Sequence, residues 1–327
     1  MIFELYLNEP YDLMLREVAA LPPVKNNEVK VRVIYGGICG SDLKVYKGGI
    51  SYATYPLRPG HEVVGTIVEA GQDVPHKVGA KVVVFPNTFC GQCEFCLQGK
   101  TNICTSKQPI GVSKDGVFAQ EIIIESKYAV PVPEDIPDEK AILIEPLAVI
   151  VHALKKANIK KGTSVAIVGC GTEGLISVAV ANHLGANVTV MDVNPLKLEI
   201  AKRLANVRVM HPEDLKEVTF DVVVEAAGVA ESIEQAMEIV KPGGILVAIG
   251  IICDPVSFPT LKIVRSEVTI SGSIIYTLQD FAEAIEYLQD PSLTISPVLS
   301  KIVPYTEFQQ AYDDALSGNY AKIALSF

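Results

Sequence analysis

No stretch of this 327-residue chain holds the ~18–20 consecutive apolar residues that a bilayer-spanning helix needs. The most apolar helix candidate, Ala141 to Leu154, is interrupted by Glu145 and His152. Positive charge is scarce too. Lys and Arg number 28 against 38 Asp and Glu, a net charge of −10. No Lys/Arg cluster offsets that deficit, so the chain lacks the basic field by which proteins attract nucleic acid. Internal repeats, low-complexity segments and long flexible linkers are absent. The first residues read as a strand broken by Glu4 and Asn8 rather than as a secretory leader, and the expected compartment is the cytoplasm.

What is present is a globular balance, 49% apolar and 20% charged. The length exceeds one ordinary core and suits two domains. Two textures divide it. Up to about residue 140, short β-type runs (Val29–Tyr35, Val63–Glu69, Lys81–Phe85, Phe118–Ile124) are punctuated by Gly and Pro, the pattern of a barrel-like all-β domain. From about residue 160, strands alternate with helices. The expected strands are Ser164–Val168, Asn187–Asp192, Asp221–Glu225, Gly244–Ile249 and Thr269–Ile275. The expected helices are Gly174–Leu184, Pro195–Leu204 and Ser232–Val240. That alternation predicts α/β architecture with a doubly wound parallel sheet. The tail holds one helix, Leu278–Leu288, and a strand-like end, Lys322–Phe327, too short to form a core alone. The expected domains are 1–147 and 148–276, with 277–327 rejoining the first.

Gly169-Cys-Gly171-Thr172-Glu173-Gly174 fits G-x-G-x-x-G and lies between a strand and a helix. The first glycine permits a tight turn, the second lets a pyrophosphate approach the backbone, and the third lets helix and strand pack closely. Phosphates would sit on the helix N-terminus, where free N–H groups favour an anion. Asp192 closes the next strand about twenty residues on, where a carboxylate accepts from ribose hydroxyls. It would repel a 2′-phosphate, so NAD is expected over NADP. Lys197 is a helical turn away, and no arginine stands beside Asp192.

Seven cysteines occur, and four of them fall within fifteen residues as Cys90-x2-Cys93-x2-Cys96-x7-Cys104, in a lobe spanning 88–105. In a reducing compartment this reads as a metal site rather than a disulfide framework. Four thiolates close a tetrahedron around Zn²⁺ and leave no open position, which makes the site structural. An iron–sulfur cluster is the alternative, but ferredoxin spacings differ. Three further candidate segments lie apart: Cys39 in Gly36-Gly-Ile-Cys39-Gly-Ser41-Asp42, His61-Glu62 in Gly60-His61-Glu62-Val-Val-Gly65, and Glu145 in Glu145-Pro-Leu-Ala-Val. Any one of them alone would read as core, turn or solvated surface.

Gly60 to Val74 resembles the zinc-alcohol-dehydrogenase signature, with Gly65 and Gly71 in register. With the cysteine lobe and the nucleotide loop, the whole chain resembles a medium-chain, zinc-containing dehydrogenase. Glu145-Pro-Leu-Ala-Val resembles the sorbitol, polyol, butanediol and threonine dehydrogenase branch. The resemblance implies a GroES-like β-barrel catalytic domain, a Rossmann NAD domain, and two zinc ions per chain.

The same resemblance implies that Cys39 and His61 bind the catalytic zinc. It makes Glu62 a ligand or an exchangeable one, and places Glu145 where the third protein ligand usually stands, directly or through water. Ser41 would relay the substrate proton, Asp42 would orient His61, and Lys44 stands where many members have a proton-passing histidine. Gly40 replaces a phosphate-binding arginine, and Lys322 matches a pyrophosphate contact of the cofactor. Two bound carboxylates beside a thiolate would leave the zinc centre negative, so Glu62 is the expected ligand and Glu145 the expected partner of bound water or substrate. The implied reaction is hydride transfer from a small secondary alcohol of a polyol, sugar or inositol-like ring to NAD⁺. L-threonine or butanediol oxidation is the alternative, and a catalytically idle zinc and nucleotide sensor is a remote one. Residues Leu43 to Pro56 and Gly250 to Pro255 are expected to line the substrate pocket. A homodimer or homotetramer is expected, because Thr269–Ile275 reads as an apolar edge strand.

Overall fold

The computed structural model describes residues 1–214, 218–252 and 255–327. Cys253 and Asp254, part of the expected pocket segment, lie outside the described residues. The chain divides into two compact units, Met1–Glu145 with Leu299–Phe327, and Pro146–Val298.

The first unit opens on a hairpin of β1 (Ile2–Leu7) and β2 (Leu13–Val18). Next come β3 (Glu28–Ile38), the short helix α1 (Gly40–Tyr46), β4 (Glu62–Ala70) and β5 (Lys81–Val84). After them lie α2 (Glu94–Leu97) in the cysteine lobe, β6 (Glu121–Glu125), β7 (Ala129–Pro131) and α3 (Asp138–Ala141). The strand expected at Phe118 begins only at Glu121. Before it the backbone serves other partners: Phe118 N–H donates to Pro59 and Gln120 N–H to Phe3. Helix α4 (Ile144–Lys155) carries Glu145 in its first turn, and the unit boundary falls within it.

The second unit supplies β8 (Ser164–Val168), α5 (Thr172–His183), β9 (Asn187–Met191), α6 (Pro195–Leu204) and β10 (Arg208–Met210). It continues with β11 (Phe220–Glu225), α7 (Ala230–Ile239), β12 (Val240–Ala248), α8 (Thr260–Ser266), β13 (Thr269–Gly272) and α9 (Leu278–Gln289). The six strands are parallel in the order β10-β9-β8-β11-β12-β13. The order reverses between β8 and β11, the switch point at which such sheets bind dinucleotides. Central strands such as Val165–Val168 are buried on both faces, as their continuous apolar runs require. Strand β13 stops short of the expected Ile275, which sits at φ +52° and cannot continue a ladder.

The returning segment carries β14 (Leu299–Pro304), α10 (Phe308–Leu316) and β15 (Lys322–Ser326). It therefore holds a helix beyond the single one expected. The return also comes later than residue 277, because α9 is tied into the second unit. Asp280 pairs with His152 at 2.8 Å and Lys155 at 2.7 Å, both on α4.

Strand β3 organises the first unit. Along one edge it pairs antiparallel with β4; along the other it meets β6 over Glu28–Arg32 and β15 over Tyr35–Ile38. Register shifts at Lys30/Val31 and Val33/Tyr35 bend it, as bulges do, and curl the sheet. Val29, Val31, Val33, Ile67, Phe118 and Ile122 fill the interior.

Candidate metal centres and nucleotide site

The end of β3 sets one metal centre. Cys39 follows Ile38 directly and precedes α1, so its thiol stands where strand turns into helix. Asp42, three residues on, turns back so that its Oδ2 accepts from the Cys39 N–H at 2.8 Å. Its Oδ1 lies 3.2 Å from His61 Nδ1. Asp42 thus caps the helix and orients the imidazole of His61, which also hydrogen-bonds the Cys39 thiol. His61 precedes β4 and Glu62 begins it. One ligand atom each from Cys39, His61 and Glu62 lies within 4.8 Å of the others. A thiolate, an imidazole and a carboxylate so spaced fit zinc.

The electrostatics of this centre follow from burial. For His61, burial works to lower the pKa, but Asp42 and then Cys39 hold it well above its ordinary value. Burial pushes the Cys39 thiol up, against His61 and Lys322. Burial raises Glu62 to about 7, against Lys322, while Glu145 adds to the rise.

Lys322, the residue expected to contact the cofactor pyrophosphate, is 0% exposed, as is Glu62. Its Nζ donates to Glu62 Oε1 at 2.6 Å, to Oε2 at 2.7 Å and to the Ile38 carbonyl at 3.2 Å. The register explains the pairing. β3 lies between β4 and β15, with Glu62 opposite Gly37 and Ile323 opposite Ile38. A Cβ on Gly37 would fall 2.2 Å from Glu62 Oε2, so only glycine leaves room for the ion pair. Glu145, buried at the start of α4, lies outside the three-residue cluster and acts on Glu62 through its charge. Ser41 is half-buried in the first turn of α1, and Lys44 is exposed in its last.

The second centre lies in the lobe around α2. One sulfur each from Cys90, Cys93, Cys96 and Cys104 falls within 4.8 Å of the rest. Cys90 Sγ is 3.6 Å from Cys104 Sγ and 4.0 Å from Cys96 Sγ. A zinc tetrahedron with bonds of about 2.3 Å needs sulfurs about 3.8 Å apart. Backbone N–H groups of Cys96 and Thr105 bring Cys93 down to about 6, while burial and the Cys93 thiol push Cys96 up to about 12, as crowded sulfurs sharing protons do.

In the second unit, Gly169 adopts φ +99° after β8, with the Ala227 backbone 2.7 Å from where a Cβ would sit. A Cβ on Gly174 would meet the Gly169 carbonyl oxygen at 1.8 Å, whereas nothing lies within 4 Å of one on Gly171. The middle glycine therefore faces open space, the cradle a pyrophosphate requires. Thr172 opens α5, followed by Glu173. Asp192 accepts from Cys170 N–H at 2.6 Å and Asn194 N–H at 2.7 Å. A carboxylate has about four acceptor sites, so capacity for ribose hydroxyls remains. Lys197 is half-buried in the first turn of α6. Burial and the Asp192 charge push the Cys170 thiol up, leaving it an inert packing residue.

One residue of this wall escapes a reading of the sequence. Glu225, 0% exposed at the end of β11, accepts through Oε1 from Ala227 N–H and Gly228 N–H, each at 2.8 Å, and from Ser232 Oγ at 2.6 Å. It holds the turn against which Gly169 packs. The only signal is a carboxylate ending an otherwise apolar run, Val222-Val-Val-Glu225.

Comparison with known proteins agrees with this geometry. Residues 25–134 match the alcohol dehydrogenase GroES-like domain, and 174–290 match the zinc-binding dehydrogenase domain. The chain is 31% identical to D-arabinitol dehydrogenase 1 of Uromyces fabae, over 98% of this chain and 96% of that one. It is 30% identical to the L-threonine 3-dehydrogenase of Chromobacterium violaceum, over 94% of each. A zinc-binding dehydrogenase from Sinorhizobium meliloti, solved bound to NADP, superposes with a TM-score of 0.93 at 27% identity, over 100% of this chain and 99% of that one. The chain belongs to the zinc-containing, medium-chain alcohol dehydrogenase family, in its polyol and threonine dehydrogenase branch, and is an oxidoreductase of that kind.

Proposed function

We propose that this chain oxidises a secondary alcohol of a polyol, sugar or inositol-like substrate with NAD⁺. The Cys39–His61–Glu62 cluster, with Asp42 behind His61, carries the reading. Zinc held there supplies Lewis acidity toward an alcohol oxygen, lowering its pKa to about neutral. Cys39 and His61 are its ligands in this reading. Glu62 is the third, and Lys322 offsets its charge so that the centre does not oppose loss of the alcohol proton. Ser41 takes that proton and Lys44 passes it outward. Glu145 holds the substrate or water oxygen. The four-cysteine lobe holds a second, structural zinc, which calls for a reducing compartment such as the cytoplasm. The glycine loop takes the pyrophosphate, and Asp192 selects NAD by accepting from its ribose hydroxyls. Two copies pair along β13, whose Ile270 is exposed at the edge of the sheet.

The test is NAD⁺ reduction by the zinc-loaded protein with polyols, inositols, simple diols and threonine. Turnover of a polyol is expected. Oxidation of threonine in preference to every polyol would replace this reading with the activity named for the Chromobacterium relative.

A further inference from the structure

Tyr312 lies on α10, in the returning segment, and packs on α1, its ring 5.3 Å from that of Tyr46. It is only 2% exposed, yet its hydroxyl has no hydrogen-bond partner among the described residues. A phenylalanine would fill the same space without an orphaned polar atom. Buried hydroxyls without protein partners are rare and commonly mark a trapped water. Burial and then the Asp42 charge hold the phenol proton on well above the ordinary range, so the group is a donor. Asp42 is itself 1% exposed. Its oxygens accept from Cys39 N–H and face His61, which leaves acceptor capacity unused. A spare buried donor and a spare buried acceptor therefore share the packing between α1 and α10.

We propose that Tyr312 is a positioning residue of the open metal centre: its hydroxyl donates to Asp42 through one trapped water and steadies the carboxylate that orients His61. The proposal rests on the reading of Cys39 and His61 as zinc ligands. The phenol touches neither substrate nor metal. It limits rotation of Asp42, and thereby of the imidazole whose other nitrogen meets the zinc.

The experiment uses the zinc-loaded full chain and follows metal release to a coloured chelator. The four-cysteine site serves as an internal reference. Tyr312→Phe should release the open-site zinc on the order of tenfold faster, with the closed-site zinc unchanged. In an Asp42→Asn background the same change should add nothing, since its path runs through Asp42. Wild-type release from Tyr312→Phe, or equal acceleration in both backgrounds, overturns the proposal. A high-resolution crystal structure of the zinc-loaded wild type provides a second reading should the variant not fold. A water bridging Tyr312 Oη and Asp42 is expected, and a dry contact overturns the proposal. A wild-type chain that binds one zinc and no more removes the open centre, and this inference with it.

Discussion

At the scale of the residue, the Glu62–Lys322 pair shows how burial changes the meaning of a charge. Two ions in a dry interior are tolerable only together, because each alone carries its full desolvation cost. Replacing Lys322 by Met strands the Glu62 carboxylate and should cost about 3–5 kcal/mol in urea unfolding. Combining it with Glu62→Gln should recover much of that loss, and failure to do so would mean that Lys322 matters by shape rather than charge. In the nucleotide loop, Gly174→Ala places a methyl 1.8 Å from the Gly169 oxygen. The loop must open, and the KM for NAD⁺ should rise at least about tenfold, readable by steady-state kinetics. Asp192→Ser should erode the preference for NAD⁺. If the wild type uses NADP⁺ with equal kcat/KM, the role given to Asp192 is wrong.

At the scale of the element, α9 is held by Asp280. Burial works against the charge of this carboxyl, but the bonds from His152, Lys155 and Thr277 keep it well below the ordinary range. A carboxyl depressed in the folded state contributes stability above its unfolded pKa, about 3.9. That contribution is lost as pH falls below this value. Asp280→Asn should therefore cost about 2–4 kcal/mol at neutral pH and about 1 kcal/mol less at pH 3, measured by urea midpoints across that range. An equal loss at both pH values would show that the bonds act without the charge. The helix alternation of this unit was legible in the sequence because strand and helix periods differ. Short elements were not: α1, α8 and β10 are too brief for a period to show, and their ends are set by contacts with distant segments.

At the scale of the whole molecule, the proposed pairing along β13 predicts a dimer or tetramer by light scattering. Ile270→Lys places a charge on the exposed sheet edge and should yield smaller species. A wild-type monomer at working concentration would defeat the pairing. Metal content should be two zincs per chain. A mild chelator should remove one first and abolish activity while the fold survives, since four thiolates leave the closed site no exchangeable position. Loss of both metals in a single step would contradict the division into open and closed centres.

What the sequence determined alone is what spacing encodes. The four cysteines fall within fifteen residues, the glycine loop within six, and the α/β alternation within each strand–helix unit. Local chain geometry brings such groups together whatever the rest of the fold does. The tertiary structure decided whatever joins distant segments. Lys322 meets Glu62 across 260 positions because β3 lies between their strands. Tyr312 reaches the α1 side of the metal centre because the returning segment packs there. α9 stays with the second unit because Asp280 finds His152 and Lys155 on α4. No spacing encodes the Glu62–Lys322 ion pair; it exists only once the sheet brings the two charges into one dry interior, where each needs the other.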